Sequence, residues 1–176
     1  MQTEPRAVSV GILKGGFAKT TTALNLGREL AHRNGRALVV DLDDNGHMTL
    51  NLGFEDEYNA GEDGDNHAEA VLIDREDPRD YIVNVTEGLD LFPAHENLES
   101  VQSALKEATM GTTRLKEDLV DPLLGEEYDY VVVDCPANRG KLNDNAMYAT
   151  GNLVIPLRPE NGYETGLTNT LNRLVK

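Results

Sequence analysis

A doubly wound α/β fold around a mostly parallel sheet is predicted by two observations in the 176-residue chain. Short apolar runs alternate with stretches of helical periodicity, and the first alternation is tight enough to be a βαβ unit. The opening run, Ala7-Val8-Ser9-Val10-Gly11-Ile12-Leu13, carries no charge. It reads as a buried parallel strand, because a strand covered on both faces has no polar side to alternate with. A glycine-containing turn follows. From Thr20 the pattern becomes helical: Ala23, Leu26, Leu30 and Ala31 recur at about 3.6-residue spacing, Arg28, Glu29 and Arg33 lie between them, and Gly35 marks the stop. Arg36 to Leu42 is a second buried strand. Strand, turn, helix and strand within about 35 residues form a βαβ unit with an expected right-handed crossover.

Residues 55–80 interrupt this rhythm with 11 acids and two arginines, punctuated by Gly61, Gly64 and Pro78. Only His67 to Ile73 looks helical there, and most of the segment is expected to be a solvated, mobile surface. Asp63 and Asp65 suggest a calcium loop, but its sixth position, which needs glycine, is Ala68. Beyond it, Gly88 to Phe92 is a strand candidate, Leu98 to Leu105 begins a helix, and Tyr128 to Val133 is a buried strand. Asn152 to Leu157 is one more strand before a final helix from Tyr163.

Size and composition bound the rest. At this length folding hides roughly 70% of the unfolded surface, so residues 1–176 are expected to form one domain without a metal or disulfide staple. The single Cys135 can form neither an internal disulfide nor an all-cysteine metal site. No apolar run approaches the ~20 residues that span a bilayer, and the N-terminus lacks a signal-peptide layout, so a cytoplasmic protein is expected. Acidic residues number 31 against 10 Arg and 6 Lys, giving a net charge of -15. Acidity this pervasive, with no Trp and 5% aromatics, suggests a high-salt cytoplasm, where repulsion is screened within about 3 Å at 1 M. The same field opposes approach to DNA and anionic lipid at low salt.

The chemistry lies in the turn after the first strand, Leu13-Lys14-Gly15-Gly16-Phe17-Ala18-Lys19-Thr20-Thr21. Glycines let successive N–H groups curl inward, and the following helix offers its positive end. Lys19 can meet β and γ phosphate oxygens, and the Thr20 hydroxyl can ligate magnesium. A generic P-loop, G-x-x-x-x-G-K-[ST], would place glycine at Leu13 and Ala18. The turn instead resembles the deviant Walker A sequence K-G-G-x-x-K-[ST] of the ParA/MinD ATPases, with Lys14 as the extra lysine. The likeness continues in Asp41-Leu42-Asp43-Asp44-Asn45-Gly46-His47-Met48-Thr49, similar to the family's D-x-D-P-Q-G-N-x-T switch segment. It continues again in Tyr128-Asp129-Tyr130-Val131-Val132-Val133-Asp134-Cys135-Pro136, similar to its Walker B strand and D-x-P turn. The chain most resembles ParA/Soj partition-type members from salt-adapted archaea.

That resemblance implies a P-loop NTPase of the SIMIBI type, here without the last family strands, acting as a slow, ATP-dependent homodimeric switch. Its cofactors would be ATP and Mg2+. Lys14, Gly15, Gly16, Phe17, Ala18, Lys19, Thr20 and Thr21 would surround the phosphates, with Lys14 reaching into the partner's site. Thr20, Asp41 and Asp134 would serve the metal, Asp43 would orient the attacking water, and Pro156 and Arg158 would lie near the base. Partners implied for the complete protein are DNA, with nucleoid association, and an adaptor protein. Departures matter: Ala18 replaces a glycine, Ala137 replaces the second proline of the Walker B turn, and Asp44-Asn45 replaces Pro-Gln, which is expected to loosen the switch loop.

Other readings are weaker. His32, His47, His67 and His95 are scattered without ligand spacing, and a nitrogenase-iron-protein reading lacks its two cysteines. A MinD-like membrane role would need a basic amphipathic C-terminal helix. The stripe Leu167, Leu171 and Leu174 is expected instead to be the core face of an ordinary helix. A P-loop ligase or kinase, or a scaffold that binds nucleotide without hydrolysis, stays open.

Overall fold

The computed structural model describes residues 4–33, 35–59, 66–157 and 163–174. Among these, six strands form one sheet: β1 (Arg6–Val10), β2 (Ala37–Asp41), β3 (Val83–Thr86), β4 (Leu89–Phe92), β5 (Tyr130–Asp134) and β6 (Leu153–Val154), in the order β3-β4-β2-β5-β1-β6. Neighbours are parallel except for the β3–β4 hairpin at one edge. The helices are α1 (Lys19–His32), α2 (His47–Asn51), α3 (Glu55–Tyr58), α4 (His67–Leu72), α5 (Leu98–Glu107), α6 (Asp121–Leu123), α7 (Lys141–Thr150) and α8 (Tyr163–Leu174). A π-helical turn at Lys116–Val120 leads into α6.

The apolar runs are continuous because both faces of the sheet are covered. Leu38 and Val40 of β2, with Val131 and Val133 of β5, face the layer formed by α4, α5, α7 and the π turn. Ala37 and Val39, with Val132, face α1 through Ala23 and the partly buried Leu24, Leu26 and Leu30. The predicted doubly wound sheet is therefore present: β2, β4 and β6 lie within the runs that announced them, and β1 and β5 overlap theirs, with Arg6 and Asp134 one residue outside.

Two expectations change. The segment 55–80 is not mostly a solvated surface where it is described: α4 buries Ala68, Val71 and Leu72 in the main core, and Pro78 is buried as well. Asn66 caps α4 by accepting from the Glu69 amide, and α4 matches the helix read over His67 to Ile73; residues 60–65, with Asp63 and Asp65 of the calcium-like pattern, lie outside the described residues. The final helix turns a different face inward than its leucines suggested. Gly166 and Thr170 are buried, whereas Leu171 is 45% exposed. An added Cβ at Gly166 would lie 3.2 Å from both Ile12 and Lys14, and the Thr170 hydroxyl accepts from the Leu13 amide at 3.0 Å. The helix thus seats its smallest residues against the turn that follows β1.

Helix α7 and strand β3 were not legible in advance. The buried face of α7 includes Asn143 and Asn145, and Asn145 is satisfied by the Leu115 amide at 3.0 Å and the Gly111 carbonyl at 2.7 Å. Polar residues on the inner face break the apolar period while costing little once hydrogen-bonded. Strand β3 is a short edge strand joined to β4 through Glu87–Gly88, and only Val83 and Val85 pack inward.

Candidate functional site

The register of the central strands builds the site. Asp134, last residue of β5, is the partner of Val10 at the end of β1 and of Asp41 at the end of β2. Two carboxylates on adjacent parallel strands therefore meet at the C-terminal edge of the sheet, where β1 gives way to the Lys14–Ala18 turn and α1. This is the edge at which open α/β sheets bind ligands.

The turn is shaped as a cradle. Gly16 has φ +79°, and an added Cβ at Gly15 or Gly16 would meet nothing within 4 Å, so the space above both glycines is open. Helix α1 starts without a side-chain cap and has no acidic residue in its first turn, which leaves its positive end available to an anion. Lys19 is buried at 7% exposure. Thr20 is half-buried, Thr21 and Ala18 are exposed, and Phe17 is buried with the Lys14 ammonium 4.8 Å from its ring centroid.

Ala18 occupies the left-handed region, with φ 55° and ψ 32°. A side chain there costs roughly 1–2 kcal/mol that glycine does not incur. We expect Ala18→Gly to stabilise the protein by about 1 kcal/mol, raising Tm by about 2–4 °C. A thermal scan showing a lowered Tm would contradict the strain.

The carboxylates are held differently. Asp41 is 1% exposed and fully engaged: Oδ2 accepts from the Thr49 amide at 3.0 Å and hydroxyl at 2.8 Å, and Oδ1 from the Asp43 amide at 3.2 Å. Thr49 Oγ1 also accepts from the Ala94 amide at 2.9 Å, tying the end of β2 to the segment after β4. Asp134 is fully buried, yet neither of its oxygens has a hydrogen-bond partner. The Thr20 hydroxyl is close enough to favour its ionised form without a hydrogen bond of good geometry. Asp43 is 5% exposed, and its Oδ1 accepts from both the amide and the side chain of Asn45, at 3.1 and 2.7 Å. The Asp44-Asn45 pair therefore does not leave the loop loose: Asn45 fastens Asp43, contrary to the expectation from sequence. The role of Thr49 has one sequence signal, a hydroxyl that closes the switch segment eight residues after the buried Asp41.

An orphaned buried carboxylate beside an open glycine cradle and a buried lysine fits a hydrated cation and a phosphate chain. Among the described residues no three His, Cys, Asp or Glu side chains form a closed metal cage. Magnesium needs none, because it retains waters and shares ligands with substrate phosphates.

Comparison with known proteins agrees with this geometry. The model of the AAA domain family matches residues 5–176. The sporulation initiation inhibitor protein Soj of Bacillus subtilis is 36% identical over 174 residues, covering 97% of this chain and 66% of its own length. The chromosome partitioning protein ParA of Myxococcus xanthus is 36% identical over 157 residues, covering 88% of this chain and 53% of its own. The chain belongs to the ParA/MinD family. Among solved structures, cobyrinic acid a,c-diamide synthase from Mycobacterium smegmatis with bound ADP and magnesium superposes with a TM-score of 0.85 at 30% identity, over 97% of this chain and 67% of that one. The chain thus spans about half to two thirds of the length of these curated relatives.

Within this ParA/MinD domain, not every predicted residue joins the cluster. Pro156 is half-buried two residues beyond β6. Arg158 lies outside the described residues. Among the described residues no helix is long and apolar enough to cross a membrane.

The paired acids make the domain's stability pH-dependent. Burial pushes the Asp134 carboxyl up to about 7, aided by the charges of Asp41 and Asp43 and opposed by Thr20 and Lys19. Burial likewise pushes Asp41 up to about 6, against its hydrogen bonds from Thr49 and Asp43. Between about pH 4 and these values the folded chain holds protons that the unfolded chain has lost, so stability falls as pH rises through this window. Asp134→Asn in metal-free buffer should exceed the parent in stability at pH 8 by on the order of 2–4 kcal/mol, with the difference vanishing near pH 4. Denaturant titrations at both pH values measure this; an advantage that grows toward acid would reverse the assignment.

Proposed function

We propose that this chain is the nucleotide-binding part of a Mg-dependent, dimerising ATPase switch of the ParA type, serving plasmid or chromosome partitioning or related cargo positioning. The observation that carries the reading is the convergence of the open Gly15–Gly16 cradle, buried Lys19 and the unpartnered Asp134 carboxylate at one sheet edge.

In this reading the backbone of Gly15 to Ala18 and the start of α1 hold the phosphates of ATP. Lys19 neutralises the β and γ oxygens, Thr21 contacts the α-phosphate, and Thr20 ligates the metal. Asp134 holds the waters around the ion, and Asp41, whose oxygens are already engaged, acts more by fixing Thr49 and the Asp43 amide. Bound magnesium supplies positive charge to the phosphate oxygens as negative charge shifts in the transition state. Asp43 accepts a hydrogen bond from the attacking water and aims it. Lys14 reaches the phosphates of a second copy, so that turnover depends on dimerisation, as with an arginine finger supplied in trans. Pro156 and Arg158 are assigned to the base side of the nucleotide.

DNA is a partner of the complete protein in this proposal rather than of these residues alone. Of the basic groups after α1 and after β5, Arg33 is paired with Glu29 at 2.7 Å, Arg36 donates to the Glu126 carbonyl, Arg139 to Asn169, and Lys141 to Thr112. Such internal engagement supports little DNA affinity for a chain of net charge -15.

The likeness to the cobyrinic acid synthase favours a second reading, a P-loop ligase that activates a small acid. ATP turnover and oligomeric state in molar KCl, with and without DNA and with candidate metabolites, separate the two. Turnover accompanied by ATP-dependent dimers supports the switch, and turnover only with an added metabolite supports the ligase. Tight ATP binding without phosphate release would reduce the chain to a nucleotide-binding scaffold.

A further inference from the structure

Helix α3 stands over the switch loop in a way that neither the motifs nor the proposed chemistry uses. The Tyr58 hydroxyl donates to the Asp44 carbonyl at 2.8 Å. Its ring lies so close to Gly46 that an added Cβ there would be 2.3 Å from the ring, and Gly46 has φ +54°, a conformation that glycine adopts without strain. The tyrosine is itself fixed: its carbonyl accepts from the Glu96 amide at 3.1 Å, and its ring packs against the main core. Between Asp44 and Gly46 stands Asn45, whose amide and side chain both hold Asp43 Oδ1. The loop that aims Asp43 is thus gripped on both sides of Asn45 by one residue from a different helix. Burial, with the nearby Asp44 and Glu96 carboxylates, raises the Tyr58 pKa, so the hydroxyl remains a donor across the neutral range.

We infer that Tyr58 is a positioning residue for hydrolysis, its ring seating Gly46 and its hydroxyl holding the Asp44 carbonyl so that the Asp43 carboxylate keeps its aim. This rests on the ATPase reading above, and it assigns to α3 the fastening that the family's Pro-Gln would otherwise be expected to supply at Asp44-Asn45. Tyr58 touches no reacting atom and acts through the loop. A purely structural tyrosine would change stability; a positioning one changes kcat while leaving KM for ATP alone.

The test compares the parent, Tyr58→Phe and Tyr58→Leu in two measurements: steady-state ATPase kinetics and amide hydrogen exchange of the 43–50 segment. Phe keeps the ring and removes the hydroxyl. We expect kcat to fall about fivefold with KM for ATP within about twofold, and exchange in 43–50 to rise by a similar factor with the melting midpoint unchanged. Leu removes the ring as well and should lower kcat about tenfold or more. Unaltered exchange in both variants would overturn the clamp, and loosened exchange with parental kcat would overturn the positioning role. A parent that turns over no ATP, while Tyr58→Phe still loosens the loop, would sink the ATPase reading and leave the clamp standing.

Discussion

Lys14→Ala should bind ATP within about threefold of the parent and lose on the order of 10³ in dimer-coupled turnover, the scale of a charge supplied in trans to a phosphoryl group. The expectation follows from where the two lysines of the loop sit. Lys19 is buried at the start of α1 and adds its charge to the field around Asp134, so in the proposed dimer it serves its own subunit. Lys14 lies over the Phe17 ring, 4.8 Å from its centroid, and in the proposed dimer it reaches the phosphates of the second copy. Lys19→Ala is the contrasting variant: loss of a charge-assisted hydrogen bond worth ~1.5–3 kcal/mol should weaken ATP binding by about 10–100-fold. Isothermal titration with ATP and phosphate-release assays on both variants decide the matter. Equal ATP affinity and normal turnover in both would remove the deviant P-loop assignment altogether.

Asp43→Ala should keep ATP and accumulate as an ATP-bound dimer, with phosphate release reduced by about 10² or more, the usual contribution of a positioned base or water-orienting group. The cradle, Lys19, Thr20 and Asp134 are untouched by this change, so the phosphate and metal contacts survive while the attacking water loses its acceptor. Light scattering should show a mass that rises with ATP and does not fall on incubation. Rapid turnover would transfer the role to Asp44, whose carboxyl is raised by burial and by the neighbouring Asp43.

Much of this chemistry was readable because it is local. Lys14 to Thr21 run through one turn into the first residues of α1, and a phosphate cradle requires its glycines, lysine and hydroxyl at fixed offsets along a single stretch of backbone. The strands β1, β2 and β5 were equally plain, since burial on both faces imposes uninterrupted apolar runs. The misfit at Ala18 is also consistent with its backbone: the residue that stands where the resemblance implies glycine lies in the left-handed region.

What required the folded chain is non-local. Asp41 and Asp134 belong to strands far apart in sequence, and only the β2–β5 register sets them side by side. Both end apolar strands, yet one is saturated by Thr49 and the Asp43 amide while the other has no hydrogen-bond partner. Tyr58 sits in an acidic stretch that composition assigns to solvent, and its grip on Gly46 arises from the docking of α3. The inward face of α8 is chosen by how closely Gly166 approaches Ile12 and Lys14, not by its leucines. Periodicity reports which residues avoid water; it carries no record of which distant partner each one meets, and that pairing sets the charge, aim and rigidity of the site.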